Sequence, residues 1–184
     1  MTTHHVYFSR SARLLHWVMA VMIITMLFVG ISMVSTVTEV HDQLIAFHRP
    51  LGITILVLVV LRLIVRLTHK TPPLPQDLPS LQVFAAYMSH LVLYILMFCL
   101  PLVGWAMLSA GGYPIVLVGT LHLFPIMPHD LALYAVLRRA HTYLAFAFFA
   151  VFLVHVAAAL MHALIRRDGV FQSMASWRKP GPTD

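Results

Sequence analysis

The sequence predicts an all-α integral membrane protein built as a four-helix bundle. Of its 184 residues, 60% are hydrophobic and only 10% are charged, whereas soluble domains carry roughly a quarter charged residues. Four apolar stretches also reach the roughly 20 residues that a transmembrane helix needs. The predicted helices cover residues 14–34, 44–67, 83–108 and 131–165 of a single domain, residues 1–184.

Each predicted helix has a recognisable boundary. The first is longer than the apolar core of a signal peptide and is not followed by a small-residue cleavage site, so we expect it to be retained. The second ends before the proline-rich segment 71–75, through which no helix continues. Pro101 should bend the third helix. We expect the glycine- and proline-rich connection before the fourth helix to be irregular or to lie on the surface, and the tail after Gly169 to be flexible.

The distribution of basic residues predicts the orientation of the bundle, because cytoplasmic loops are enriched in Lys and Arg. One side collects Arg10, Arg13, Arg66, Lys70, Arg166, Arg167, Arg178 and Lys179. The other side collects only Arg49, Arg138 and Arg139. Both termini are therefore predicted to be cytoplasmic, and the long connection between the third and fourth helices faces the opposite compartment.

The composition excludes several other classes of protein. The net charge of +6 does not form the basic stripe of a nucleic-acid-binding protein, since the charges lie beside apolar stretches and indicate contact with lipid. The single cysteine, Cys99, permits neither a disulfide within the chain nor covalent haem attachment through Cys-x-x-Cys-His. No Asp or Glu lies well inside a predicted helix, which disfavours a proton pump or a cation transporter.

Histidines are the polar residues that do occur inside the predicted helices. A single buried histidine is commonly explained by a hydrogen bond to a backbone carbonyl. Here every helix contains at least one, which indicates a common cause, because polar side chains inside a membrane are costly and usually functional. The six are His16, His48, His90, His141, His155 and His162.

The spacing on the fourth helix predicts two metal sites. His141 and His155 are 14 residues apart, which places them within about 40° of the same face and separates them by about 21 Å along the axis. Two inward-facing ligands at opposite depths are what two stacked porphyrins require. His162 lies on the same face about 10 Å further along, too far to share an iron with His155.

Depth in the membrane predicts which histidines pair. His48 and His141 both lie near the outer side, so they can meet across the bundle. His16 lies near the inner side, where His155, His162 and His90 are all possible partners. Pairing through His162 would separate the irons by about 32 Å, so electron transfer favours His155. Two axial histidines leave no open position on the iron, and such a haem carries electrons.

Several short motifs resemble the bacterial cytochrome b561 family over nearly the whole chain. They are His16-Trp17 after Arg13-Leu14-Leu15, His48 before Pro50-Leu51-Gly52, Thr71-Pro72-Pro73 after the second helix, and His141 with His155. The resemblance implies a four-helix bundle in the bacterial inner membrane with two non-covalent b haems. It also implies the ligand pairs His48/His141 outside and His16/His155 inside.

Within this family, the chain is similar to members that take electrons from superoxide and reduce ubiquinone. Arg49, Arg138 and Arg139 border the predicted outer haem and would attract a small anion, pair with haem propionates, or extend to the lipid headgroups. On the inner side, the resemblance implies contacts to the quinone or to propionates. The residues concerned are His162, His90, Trp17 and Arg62.

Two other interpretations fit the sequence less well. The chain would be a dihaem quinone reductase or the membrane anchor of a larger dehydrogenase if a periplasmic protein supplied the electrons. A histidine-rich metal transporter would bind divalent metal reversibly and hold no porphyrin. The missing intramembrane carboxylates argue against transport.

Overall fold

Four long helices dominate the computed structural model, which describes residues 7–119 and 121–176. Helix α1 is Arg10–Ser35, α2 is Glu39–Thr68, α3 is Ser80–Ala110 and α4 is Leu131–Leu160. A π-helical segment, Met161–Arg166, extends α4, and a short helix α5, Val170–Ala175, follows. All four long helices are apolar enough to cross a membrane, so the prediction of a four-helix membrane bundle is confirmed.

Helix boundaries are set by polar residues that hydropathy does not reveal. Helix α2 begins at Glu39 rather than at residue 44, because Glu39 and Asp42 lie in its first turn, where negative charge is stabilised by the helix dipole. Ser9 caps α1 by accepting a hydrogen bond from the Ala12 N–H at 3.2 Å. Asp130 caps α4 by accepting the N–H groups of Ala132 and Leu133.

The connection between α3 and α4 contains an antiparallel hairpin that the sequence did not predict. Strand β1, Ile115–Val118, pairs with β2, Leu121–Leu123, and an irregularity interrupts the register between Val116 and Val118. Ile115 is buried, because β1 packs against α2 and α3. The hairpin therefore covers the end of the bundle that contains His48 and His141, called the outer end below.

The helices pack unevenly. Helix α1 packs on α2, α3 on α4, and α2 on α3. Within the described residues, the backbone of α4 hardly approaches those of α1 and α2. The middle of the bundle is filled by apolar side chains: Met19, Ile23, Ile55, Val59, Leu93, Leu96, Met97 and Phe148. This core separates the outer end from the inner end, which contains His16, His155 and α5.

The expectation that the tail after Gly169 is flexible is wrong for residues 170–176. The Phe8 N–H donates to the Ser173 carbonyl at 3.1 Å, and the Arg13 guanidinium donates to the Ser176 carbonyl. Ser173 is buried. Helix α5 is therefore fastened against the start of α1 by backbone carbonyls. Arg178 and Lys179, which were counted in the charge distribution, lie outside the described residues.

Candidate haem-binding site

The outer end brings the rings of His48 of α2 and His141 of α4 next to each other. Their ring centroids are 6.2 Å apart and the ring planes meet at 68°. The Nδ1 atoms of both rings are buried and have no hydrogen-bond partner in the described structure. A buried ring nitrogen without a partner is costly unless something else binds the ring.

A glycine on α3 makes room for the His141 ring. A Cβ atom at Gly104 would lie 3.3 Å from His141 Cε1 and 3.6 Å from its Nδ1. The first of these distances is shorter than ordinary van der Waals contact, so the ring would have to move. Gly104 therefore fixes how closely α3 can approach the outer histidine pair.

The inner end brings His16 of α1 and His155 of α4 together in the same way. Their ring centroids are 6.4 Å apart and the ring planes meet at 67°. The Nδ1 atom of His16 is also buried without a partner. Because α4 separates His141 from His155 by about 21 Å of helical rise, the two pairs lie at opposite ends of the bundle.

The geometry of both pairs fits a metal ion held between two imidazoles. A metal–imidazole bond of about 2.0–2.1 Å, as measured for zinc, plus about 1.1 Å from ring nitrogen to centroid, places two opposed centroids about 6.3 Å apart. The observed separations are 6.2 and 6.4 Å. Within the described residues, no group of three or more His, Cys, Asp or Glu could hold a metal ion. Two facing imidazoles are what a haem needs, since its porphyrin supplies the other four ligands.

His90 lies beside the inner pair. Its ring centroid is 5.4 Å from that of His155. Its Nδ1 is 2.6 Å from the carbonyl oxygen of Ala86 in its own helix, to which an Nδ1–H would donate. This contact fixes the orientation of the His90 ring and leaves its Nε2 free.

The other predicted inner residues have polar partners of their own. The Trp17 ring is 5.3 Å from the His16 ring, and its indole N–H donates to the Met174 carbonyl at 3.2 Å. Arg62 Nε donates to the Tyr94 hydroxyl at 3.1 Å. The structure thus brings Trp17 next to the inner pair, whereas His162 forms a separate cluster.

The cluster around His162 contains two carboxylates that the sequence analysis did not single out. His162 Nδ1 lies 2.7 Å from Asp168 Oδ2. Arg166 donates from Nε to the same Asp168 oxygen at 3.1 Å and from a terminal nitrogen to Asp77 at 2.6 Å. The sequence does contain acidic residues in the connections next to the predicted helices, Asp77 and Asp168, and a nearby arginine, Arg166. Hydropathy does not show which connections meet in the fold, so this cluster could not be predicted from it.

The three predicted outer arginines differ in their surroundings. Arg49 donates to the Pro114 carbonyl at 3.3 Å, next to the hairpin, and its Nε is buried without a partner in the described structure. Arg138 and Arg139 are exposed on the first turns of α4, close in sequence to His141. The outer end therefore combines one partly buried and two exposed positive charges.

Four membrane-length helices with two facing histidine pairs define the class of membrane cytochromes b. The sequence profile of prokaryotic cytochrome b561 matches residues 7–177. The chain belongs to this family. It is a multi-pass protein of the bacterial inner membrane, its family binds b-type haem, and its general activity is electron transfer.

Three relatives have informative names. A probable superoxide oxidase CybB of Yersinia pestis is 33% identical over 69% of this chain and 72% of its own length. Cytochrome b561 homolog 1 of Escherichia coli (strain K12) is 27% identical over 94% of this chain and 98% of its own length. Cytochrome b561 homolog 2 of the same organism is 29% identical over 86% of each chain.

The close approach at Gly104 leads to a testable prediction. The larger side chain of Gly104→Val should displace the His141 ring, so we expect the haem content of the purified protein to fall. Gly104→Ala should have a smaller effect. Pyridine haemochrome assay against protein concentration measures this ratio. Gly30→Val is the matched control, because a Cβ at Gly30 meets no atom within 4 Å. Equal haem content in the Gly104 and Gly30 variants would refute the steric role.

Proposed function

We propose that the chain carries electrons across the membrane between two b-type haems, oxidising superoxide at the outer end and reducing ubiquinone at the inner end. The observation that carries the proposal is the pair of facing histidine sets, with centroid separations of 6.2 and 6.4 Å. When bound, each haem accepts and releases one electron at a time.

Four histidines hold the haems in this proposal. His48 and His141 would hold a haem at the outer end, and His16 and His155 would hold one at the inner end. The close approach of the two rings within each pair supports this role. With an imidazole from each side, the iron would have no open position for oxygen, so each haem would supply electron transfer alone.

The overall reaction balances with one quinone for two superoxide anions. Each superoxide gives up one electron and becomes O₂. One ubiquinone takes up the two electrons and two protons and becomes ubiquinol. Because superoxide is charged and ubiquinone is lipid-soluble, the two substrates naturally approach from different environments.

The basic residues support the direction of this path. We propose that both termini face the cytoplasm, since the inner end carries Arg10, Arg13, Arg66 and Lys70. The outer end then faces the periplasm. At the inner end, Arg62 could form an ion pair with a haem propionate. Its guanidinium carbon lies 5.8 Å from the Tyr94 ring centroid.

The quinone site is proposed at the inner end, around His162, His90 and Trp17. Both histidines have their Nδ1 atoms engaged, by Asp168 and by the Ala86 carbonyl. Each therefore presents Nε2 as the group that can hydrogen-bond a quinone carbonyl or transfer a proton to it.

Stopped-flow spectroscopy of the purified chain alone tests the choice of donor. Mixing oxidised protein with superoxide should produce the reduced haem spectrum within the lifetime of the superoxide, and added ubiquinone should reverse it. No haem reduction by superoxide would refute the proposed donor. Reduction only by a periplasmic redox protein would instead support the alternative of a protein-fed quinone reductase or dehydrogenase anchor.

The outer arginines should accelerate the encounter with superoxide. We expect the double variant Arg138→Gln/Arg139→Gln to lower the second-order rate constant of haem reduction about tenfold at low ionic strength, because positive potential raises association rates of anions. The dependence of that rate on salt should also weaken. Arg167→Gln, an exposed arginine at the inner end, is the control. Identical salt dependence in all three proteins would refute steering by these residues.

A further inference from the structure

The His162 cluster contains an acidic residue, Asp168, that lies outside the proposed haem sites. We propose that Asp168 is a positioning residue, whose carboxylate holds His162 through Nδ1 so that Nε2 delivers protons to the quinone. This inference rests on the proposed function, since it concerns the quinone half of that reaction.

The Asp168 carboxylate is held by three donors at once. Its Oδ2 accepts from His162 Nδ1 at 2.7 Å and from Arg166 Nε at 3.1 Å. Its Oδ1 accepts the Val170 N–H at 3.2 Å. The side chains of His162 and Asp168 are only 14% and 12% exposed. Because both oxygens are engaged, the carboxylate is fixed and orients the imidazole.

These donors keep Asp168 ionised. Burial, the largest single influence, raises its pKa, but the hydrogen bonds from His162, Val170 and Arg166 together outweigh burial and lower the pKa below its ordinary value. An ionised carboxylate accepts the Nδ1–H of His162 and stabilises the ring when Nε2 also carries a proton. In other Asp–His pairs that transfer protons, the carboxylate likewise orients the imidazole and the imidazole carries the proton.

The backbone is shaped to bring the two residues together. The π-helical segment Met161–Arg166 ends at Arg167, which has a positive φ of 54° and donates its N–H to the His162 carbonyl at 2.9 Å. Gly169 follows with a φ of 83°. This reversal lets Asp168 reach back to a ring six residues earlier. π-helical segments are rare and occur frequently at functional sites.

Within the described residues, few charged side chains are bonded to the His162–Asp168 pair. Arg166 is the only other charged group bonded to Asp168 in the described structure, and it is held from its far side by Asp77 in the connection between α2 and α3. Helix α5, which packs on the π-helical segment, carries no titratable residue. On α4, which also packs there, the nearest titratable residue in sequence is His155. Among the described residues, the charges bonded to the pair are therefore those of Arg166 and, through Arg166, of Asp77.

Reduction of one ubiquinone to ubiquinol consumes two electrons and two protons. Ubiquinone receives two electrons from the proposed path and two protons in succession from His162 Nε2. After each transfer the ring is neutral, its Nδ1–H still donates to Asp168, and water at the inner surface returns the proton to Nε2. The quinone is reduced, the electron donor is oxidised, and His162 and Asp168 are unchanged.

The test uses the full haem-loaded protein, reduced chemically with dithionite, so that it does not depend on superoxide. Excess dithionite is removed, a short-chain ubiquinone is added, and haem reoxidation is followed from pH 5.5 to 9. Asp168→Asn should slow reoxidation about tenfold at pH 8 and change the shape of the pH profile, because the His162 ring loses the carboxylate that accepts from its Nδ1. Asp168→Glu should restore part of the rate and of the wild-type profile. Asp42→Asn, at the outer end of α2, should match the wild type.

The outcomes separate the two proposals. A wild-type pH profile in Asp168→Asn overturns the positioning role, and so does an equal loss of rate at every pH that Asp168→Glu does not rescue, because that result indicates only a structural role. Wild-type protein that is not reoxidised by ubiquinone overturns the proposed function itself. Wild-type protein that reacts with ubiquinone but is not reduced by superoxide overturns only the choice of donor.

Discussion

Replacing His48 or His141 by alanine is expected to leave one haem per chain instead of two. The reason is that each of these rings would bind the iron of the outer haem in the proposed assignment, and the partner ring, whose centroid lies 6.2 Å away, would not hold that iron alone in a buried site. The loss should be seen in the pyridine haemochrome assay and as a smaller, simpler reduced-minus-oxidised band. His122→Ala is the control, because His122 is an exposed histidine in β2. Two haems in both variants would show that the outer ligands are assigned incorrectly.

The second large effect is expected at the inner end. His16→Ala should also leave one haem, but here the outer haem should still be reduced by superoxide while quinone reduction falls by at least about 100-fold. The remaining haem would lie at the level of His141, about 21 Å along the α4 axis from the level of His155. This distance would interrupt electron transfer to the quinone. Stopped-flow reduction and steady-state quinol formation measure the two halves separately.

His90→Ala is the decisive companion of this variant. The His90 ring lies within 5.4 Å of His155, so it is the nearest alternative ligand at the inner end. We expect this variant to keep two haems, with any loss confined to quinone reduction. One haem in His90→Ala together with two in His16→Ala would assign the inner iron to His90.

The sequence predicted the helices and the histidine pairs for simple physical reasons. Membrane spans must be long and apolar, so hydropathy found all four. The 14-residue separation of His141 and His155 forces them onto one face of a helix at opposite depths, and the structure brings each next to the predicted partner on another helix. Their role as haem ligands stays a prediction.

Features that depend on tertiary contacts were not predictable in this way. The fastening of α5 to α1 uses backbone carbonyls of Ser173, Met174 and Ser176, which no side-chain pattern reveals. The Asp168–His162 contact depends on a π-helical segment and on the left-handed backbone conformation of Arg167. Arginine rarely adopts this conformation, so the amino-acid sequence does not indicate it. The hairpin was missed because proline- and glycine-rich segments predict turns more clearly than short strands.

The most direct test of the central claim is a reduced-minus-oxidised absorption spectrum of the purified wild-type protein, combined with a haem-to-protein ratio, after expression with ample haem. We expect a red preparation with a b-type reduced spectrum and two haems per chain. A colourless preparation, or one in which haem is absent while the helices remain folded, would contradict the proposed electron path.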